Sequence, residues 1–178
     1  MKLYRILSAT GNDRPGIVHQ VSQYVFDHHC NMEDSRMAVL GGQFSLMMLF
    51  AGEEQNITSL ENDLAGFQEE SSLKASLRNA VDPKECRSEP ALPVRLEVVA
   101  MDAPGIMVQI AKILDKYRVN VETLDARLSP APTSGTTVSS IKMKVAVPQK
   151  VSLKEVKDAM TDLGSRINLD VVFQPVQE

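Results

Sequence analysis

An aspartate, a proline, a glycine and an isoleucine recur at one spacing in this chain, as Asp13-Arg14-Pro15-Gly16-Ile17 and again as Asp102-Ala103-Pro104-Gly105-Ile106. Each copy stands between a strand-like run and an amphipathic helical run. The first backbone N–H groups of the helix, which have no partner within it, therefore sit beside a carboxylate and an unobstructed glycine. Such a helix start attracts an anion, a carboxylate for instance. Asn31 and Asn120 follow the two aspartates at the same distance, at the start of the next strand, and are expected to return to the same end of the sheet. An amide and a carboxylate beside a helix start have the chemistry to hold a zwitterion. Its ammonium would meet Asp13 and Asn31, or Asp102 and Asn120. Its carboxylate would meet the N–H groups of Gly16 and Ile17, or of Gly105 and Ile106. The structural alternative weighs about as much on the motif alone: Asp13 caps the helix, Pro15 occupies its first turn and Gly16 allows close packing of helix on sheet.

The elements around these loops repeat as well. From Leu7/Leu96 to Glu33/Glu122 the two segments align without a gap, with eight identities over 27 positions, which marks an internal duplication. A chain of 178 residues then divides into two domains, 1–81 and 93–178, joined by a polar linker over 82–92 that carries Pro83 and Pro90. Domains this small gain from packing on a sister copy, so the halves are expected side by side.

In the first half, residues 3–10 read as a strand, and Ile17, Val18, Val21, Val25 and His28 share one face of a helix over 15–29. Residues 32–40 and 43–51 read as strands joined by Gly41-Gly42, a pair suited to a tight hairpin. Ile57, Leu60, Leu64 and Phe67 mark a second helix, and residues 73–81 a last strand. The second half repeats the order. Val94, Leu96, Val98 and Ala100 alternate, Ile106, Ile110, Ile113 and Leu114 form a helical stripe, and Ile141 to Val147 alternate again. Ser152-Leu153-Lys154-Glu155 is a capping box opening a helix expected to stop at Gly164, before a strand from Ile167 to Phe173. Residues 129–137 read as a long hairpin loop. Order βαββαβ in each half predicts an α+β fold of two ferredoxin-like domains, each an antiparallel four-stranded sheet with both helices on one face. Met47 and Leu49, apolar on the other face, predict that it is covered.

Composition narrows the function. With 43% hydrophobic and 24% charged residues the chain is globular. A net charge of −4 and lysines and arginines that read as scattered give no footprint for direct nucleic-acid binding. Cys30 and Cys86 are too few for a disulfide framework, no apolar leader opens the chain, and no run is long enough to span a membrane, so a cytoplasmic location is expected. His28-His29-Cys30 is explained by the helix C-terminus better than by a metal, and Cys30, aligned with Val119, reads as a small buried hydrophobe. No catalytic dyad, dinucleotide loop or cofactor motif is present, so neither catalytic residues nor a cofactor nor a metal is expected.

Strand, Asp-Arg-Pro-Gly-Ile-Val, amphipathic helix, then Cys-Asn-Met-Glu-Asp-Ser-Arg resembles the ACT domain, a small amino-acid-sensing module, and both halves carry the resemblance. It implies domains that pair edge to edge and bind a small amino acid at the seam, through Asp13, Gly16, Ile17 and Asn31 and through Asp102, Gly105, Ile106 and Asn120. Ala103 and Met107 replace Arg14 and Val18, so the second site is expected to differ or to be vestigial. Within the family the resemblance is to tandem-ACT transcriptional repressors that act through a separate DNA-binding activator, with glycine the first expected effector. It implies a regulator, not an enzyme, and the exposed sheet edges with the apolar outer face predict a homodimer. The alternative is a detached regulatory subunit of an amino-acid or folate enzyme.

Overall fold

A computed structural model describes residues 2–85, 90–130 and 135–176. Cys86 and parts of the linker and of the 129–137 loop lie outside them. The chain forms two compact units, 1–87 and 88–178.

Unit 1 is built from β1 (Lys2–Asn12), α1 (Ile17–Asp27), β2 (Asn31–Leu40), β3 (Gln43–Glu53), α2 (Glu54–Ser71) and β4 (Lys74–Ala80). Its sheet has the order β2-β3-β1-β4, antiparallel throughout, with β2 and β4 at the edges. Unit 2 repeats this with β5 (Ala91–Met101), α3 (Ile106–Lys116), β6 (Asn120–Pro130), β7 (Thr137–Pro148), α4 (Leu153–Ile167) and β8 (Leu169–Pro175), in the order β6-β7-β5-β8. The expected α+β ferredoxin-like architecture is present twice.

Alternation in sequence becomes burial on one sheet face. Leu7 and Ala9 of β1 and Phe44, Leu46, Met48 and Phe50 of β3 point under the helices, which bring Ile17, Val21, Ile57 and Leu60 down onto them. Val94, Leu96, Val98 and Ala100 do the same in unit 2 beneath Ile110, Leu114, Val156 and Met160, in a separate core. Tyr24 and Phe67 stack at 4.2 Å between α1 and α2, and the Tyr24 hydroxyl donates to the Leu60 carbonyl at 2.5 Å. The hairpin between β2 and β3 turns on Gly41 (φ 58°) and Gly42 (φ 76°), both in the left-handed region that the twist of a two-residue hairpin requires.

Several boundaries shift by one to three residues from the sequence reading, and two helix ends and a pair of bulges carry a physical reason. α1 starts at Ile17, because Gly16 is left-handed and cannot continue a helix backwards. α4 does not stop at Gly164: it runs to Ile167 and ends on Asn168 (φ 54°), whose N–H returns to the Gly164 carbonyl. Gly164 is instead the point where helix meets strand, since a β-carbon there would lie 2.7 Å from the Leu169 carbonyl. Both second strands also carry a bulge one step after their asparagine, between Met32 and Asp34 and between Val121 and Thr123, which sets the repeated Glu33 and Glu122 out of register.

The edge strands β2 and β6 are exposed along almost their whole length. Met32, Met37 and Val39 lie beside inward-pointing Phe50, Leu46 and Phe44, yet no helix reaches far enough across to bury them. Val121, Leu124 and Leu128 make the same row on β6. On the opposite sheet face Met47 is 54% exposed.

Candidate functional site

The repeated loop is held the same way in both units. The Asp13 N–H donates to the Gly42 carbonyl at 2.9 Å and the Asp102 N–H to the Thr137 carbonyl at 3.0 Å, which fixes each loop against the start of the third strand of its unit. The helix then opens on a left-handed glycine, Gly16 at φ 83° and Gly105 at φ 88°, whose carbonyls accept from the N–H groups of the repeated Gln20 and Gln109. Neither helix has a side-chain cap, so Asp13 and Asp102 do not serve as caps. Pro15 precedes the helix and is outside its first turn. A β-carbon on either glycine would meet nothing within 4 Å, so close packing is not the reason for them. Their backbone conformation is the reason, in the left-handed region that other residues rarely adopt. Ile17 and Ile106 turn their side chains into the cores and have only their N–H groups to offer a ligand.

Replacing Gly16 or Gly105 by alanine is expected to cost about 1–2 kcal/mol through the left-handed φ alone. Asparagine at the same position should recover part of it, measured as the urea midpoint of each variant.

The asparagines lie elsewhere. Asn31 is in register with Ala51 and, through it, with Tyr4 near the start of β1. Asp13 follows Asn12, which is in register with Gln43. Eight residues of strand separate the two levels, roughly 27 Å. Asn120, level with Ala146 and Pro93, is likewise remote from Asp102, which follows Met101. The expectation that each asparagine returns to the end of the sheet that bears the aspartate is wrong. A strand, a helix that runs back and a second strand leave both strands pointing the same way, so β2 begins where β1 began.

Around Asn31 the structure gathers groups the sequence did not single out. Lys2 Nζ lies 2.7 Å from Glu33 Oε1 and 5.3 Å from the centre of the Tyr4 ring, and the Tyr4 hydroxyl donates to Asp82 at 2.8 Å. The bond from Lys2, with a further one from Asn31, holds the Glu33 carboxyl below its ordinary range. The Lys84 backbone N–H and then the Tyr4 hydroxyl lower Asp82. Unit 2 has Ala91 and Pro93 in place of Lys2 and Tyr4, and its Glu122 meets Lys144 at 3.1 Å. The loops differ too. Arg14 Nη2 donates to Gln20 and to the Ser71 carbonyl, tying the first loop to the end of α2, whereas Ala103 has no such reach. The repeated Glu33 was the signal available in the sequence. Lys2, Tyr4 and Asp82, drawn from distant segments, left none.

His28 places Nδ1 2.8 Å from the Tyr24 carbonyl and Nε2 3.6 Å from Asp63. Cys30 is buried, and that burial pushes its thiol up. Among the described residues no three His, Cys, Asp or Glu side chains converge as metal ligands, and no helix is long and apolar enough to cross a membrane.

Two βαββαβ units, each opening its first helix on an Asp-x-Pro-Gly-Ile loop, constitute a tandem ACT-like fold, and residues 4–78 match the family model of the ACT domain. Along most of its length the chain is similar to the glycine cleavage system transcriptional repressor of Escherichia coli (strain K12), with 28% identity over 167 residues, 93% of this chain and 86% of the relative. A structure of an unknown protein from Galdieria sulphuraria superposes over 99% of the chain and 100% of its own length, with a TM-score of 0.82 and 28% identity. A second, solved as a candidate glycine cleavage system transcriptional repressor, covers 100% of this chain and 99% of its own, with a TM-score of 0.74 and 22% identity, and bears on the fold.

Proposed function

We propose that the protein is an amino-acid-responsive regulator in the cytoplasm, not an enzyme, which controls expression of a glycine cleavage system through a DNA-binding activator and senses a small zwitterion, glycine first. The observation that carries this reading is the loop: in both units it opens a helix on a left-handed glycine, with no side-chain cap on the helix N–H groups and nothing within 4 Å of where the glycine's β-carbon would stand. Resemblance to the repressor over most of the chain supports the regulatory role, and a net charge of −4 favours contact with a protein over contact with DNA.

The separation of Asp13 from Asn31 is reconciled by a homodimer. β2 is an edge strand with one side of its backbone unpaired. If β2 of a second copy pairs with it antiparallel about a two-fold axis, the Asn31 end of one copy falls beside the Leu40 end of the other. That end lies against the loop, because Asp13 is bonded to Gly42. Each site then takes Asp13, Gly16 and Ile17 from one chain and Asn31 from its partner, and the exposed row Met32, Met37 and Val39 passes under the partner's helices. β6 carries the same edge and row, and Asp102, Gly105, Ile106 and Asn120 would form the corresponding site.

Calorimetric titration with glycine, serine and alanine tests this, with light scattering to give the mass. A dimer with saturable glycine heat is expected. Asn31→Ala should weaken binding by about 1.5–3 kcal/mol, as for loss of a hydrogen bond to a charged group, and Asn120→Ala less if the second site has diverged. A folded protein that gives no heat with any of the three overturns the sensing role, and a monomer overturns the shared site.

A further inference from the structure

We infer that the helical layer of unit 1 is a docking surface for a basic helical segment of a protein partner, one arginine or lysine of which enters the groove between α1 and α2. The inference rests on the regulatory reading above for what the contact accomplishes, and on charge and shape for the contact itself.

α1 and α2 together carry Asp27, Glu54, Glu61, Asp63, Glu69 and Glu70, and not one lysine or arginine. Unit 2 supplies an internal control, because α3 and α4 have the same fold and the same need for solubility. They mix Lys112, Lys116, Lys154, Lys157 and Arg166 with Asp115, Glu155, Asp158 and Asp162. Of the six carboxylates on α1 and α2, Glu61 is neutralised by Arg5 of β1 at 2.6 Å, and Asp63 has His28 at 3.6 Å. The remainder face solvent on adjacent helices and repel one another, a cost that folding alone does not require. An oppositely charged partner relieves it.

Between the two helices lies a cavity of about 280 Å³. Its walls include Asp27, Asp63 and Glu70, and the stacked rings of Tyr24 and Phe67 line it. Arg14, through its bonds to Gln20 and Ser71, is the cation at one end. An aliphatic stem laid against rings with its charged head among carboxylates is how long basic side chains bury themselves. The carboxylates are spread along the groove and do not converge on a point, which suits an extended cation over a metal ion. Phe26, 71% exposed on α1 beside Asp27, gives the same surface an apolar contact for an amphipathic partner.

The test uses the full chain and a fluorescein-labelled amphipathic peptide of alanine, leucine and arginine, about five helical turns long. Its counterpart has glutamate for arginine. Anisotropy should show saturable binding of the arginine peptide only. Asp63→Asn with Glu70→Gln should weaken it about tenfold, while Asp158→Asn with Asp162→Asn on α4, an equal change in net charge, should leave it within twofold. Equal loss in both variants means attraction to net charge alone and overturns the docking surface, as does failure of the arginine peptide to bind. Glycine heat measured on the same variants is expected to be unchanged. A negative anisotropy result with glycine heat intact therefore sinks this surface alone, and the reverse sinks the sensing role alone.

Discussion

Phe50→Ala is expected to unfold unit 1 while unit 2 stays folded. Phe50 is fully buried on β3, packed in a core with Leu7, Phe44, Met48, Ile57 and Leu60. Truncating a fully buried phenylalanine costs about 3–5 kcal/mol, the transfer energy of the ring plus the cavity left behind. A domain of this size has a total stability at the low end of about 5–15 kcal/mol, and a loss at the upper end of its own range, expected where the ring is fully buried, removes all of it. The core of unit 2 shares no residue with that of unit 1. Amide resonances of residues 2–80 should therefore collapse while those of 91–175 persist, and calorimetric melting should resolve two transitions. Collapse of both sets together would show that the two units fold as one.

The core was legible because it obeys period. Alternation at Val94 to Ala100 and the helical stripe from Ile106 to Leu114 both describe surfaces that must be buried, and both are, with Ile113 partly so. The hairpin at Gly41-Gly42 was legible because few residues tolerate two successive positive φ values. Gly164 misled for the opposite reason: glycine ends helices through its backbone, but here it serves through its missing side chain, and Ile167, four residues after buried Leu163, was the sign that the helix continues. The geometry of the candidate site was half legible. The loop could be read from its repeat. Placing Asn31 beside it was an error of strand direction, since β1 and β2 run parallel on either side of a returning helix, which puts the start of β2 far from the end of β1. Reading lysine and arginine as scattered also missed that they are absent from both helices of unit 1, which becomes visible only once those helices are known to be adjacent. The cluster of Lys2, Tyr4, Glu33 and Asp82 joins three segments far apart in sequence, and only Glu33, through its repeat, left a sign there.

Gly52→Ala is expected to destabilise unit 1 by about 1–3 kcal/mol, and Cys30→Ala is expected to rescue most of it. Gly52 lies near the end of β3, and a β-carbon added there would stand 2.6 Å from Cys30 Sγ and 3.5 Å from Ile57 Cδ1. The thiol cannot move far. It is buried, and its Sγ is 3.5 Å from the His28 carbonyl at the turn that leads from α1 into β2. An added methyl must therefore push this turn, where His29 already holds a positive φ of 54°. Removing the sulfur frees about the volume the methyl needs, so the double variant conserves volume and should lie within about 1.5 kcal/mol of the parent. The single Cys30→Ala variant should lose stability through the small cavity it leaves. Contact between the two positions thus predicts a coupling energy opposite in sign to the single effects, within the range of about 0.5–3 kcal/mol seen for touching residues. Urea unfolding of the four proteins measures it. Additive losses would mean that the alanine methyl is accommodated by a shift of β3 and not by the thiol. The cycle also decides why a cysteine stands at this point. If the sulfur serves only as filler against a glycine, the alanine pair replaces it without loss of stability, and Asn31, the next residue, keeps its place at the start of β2.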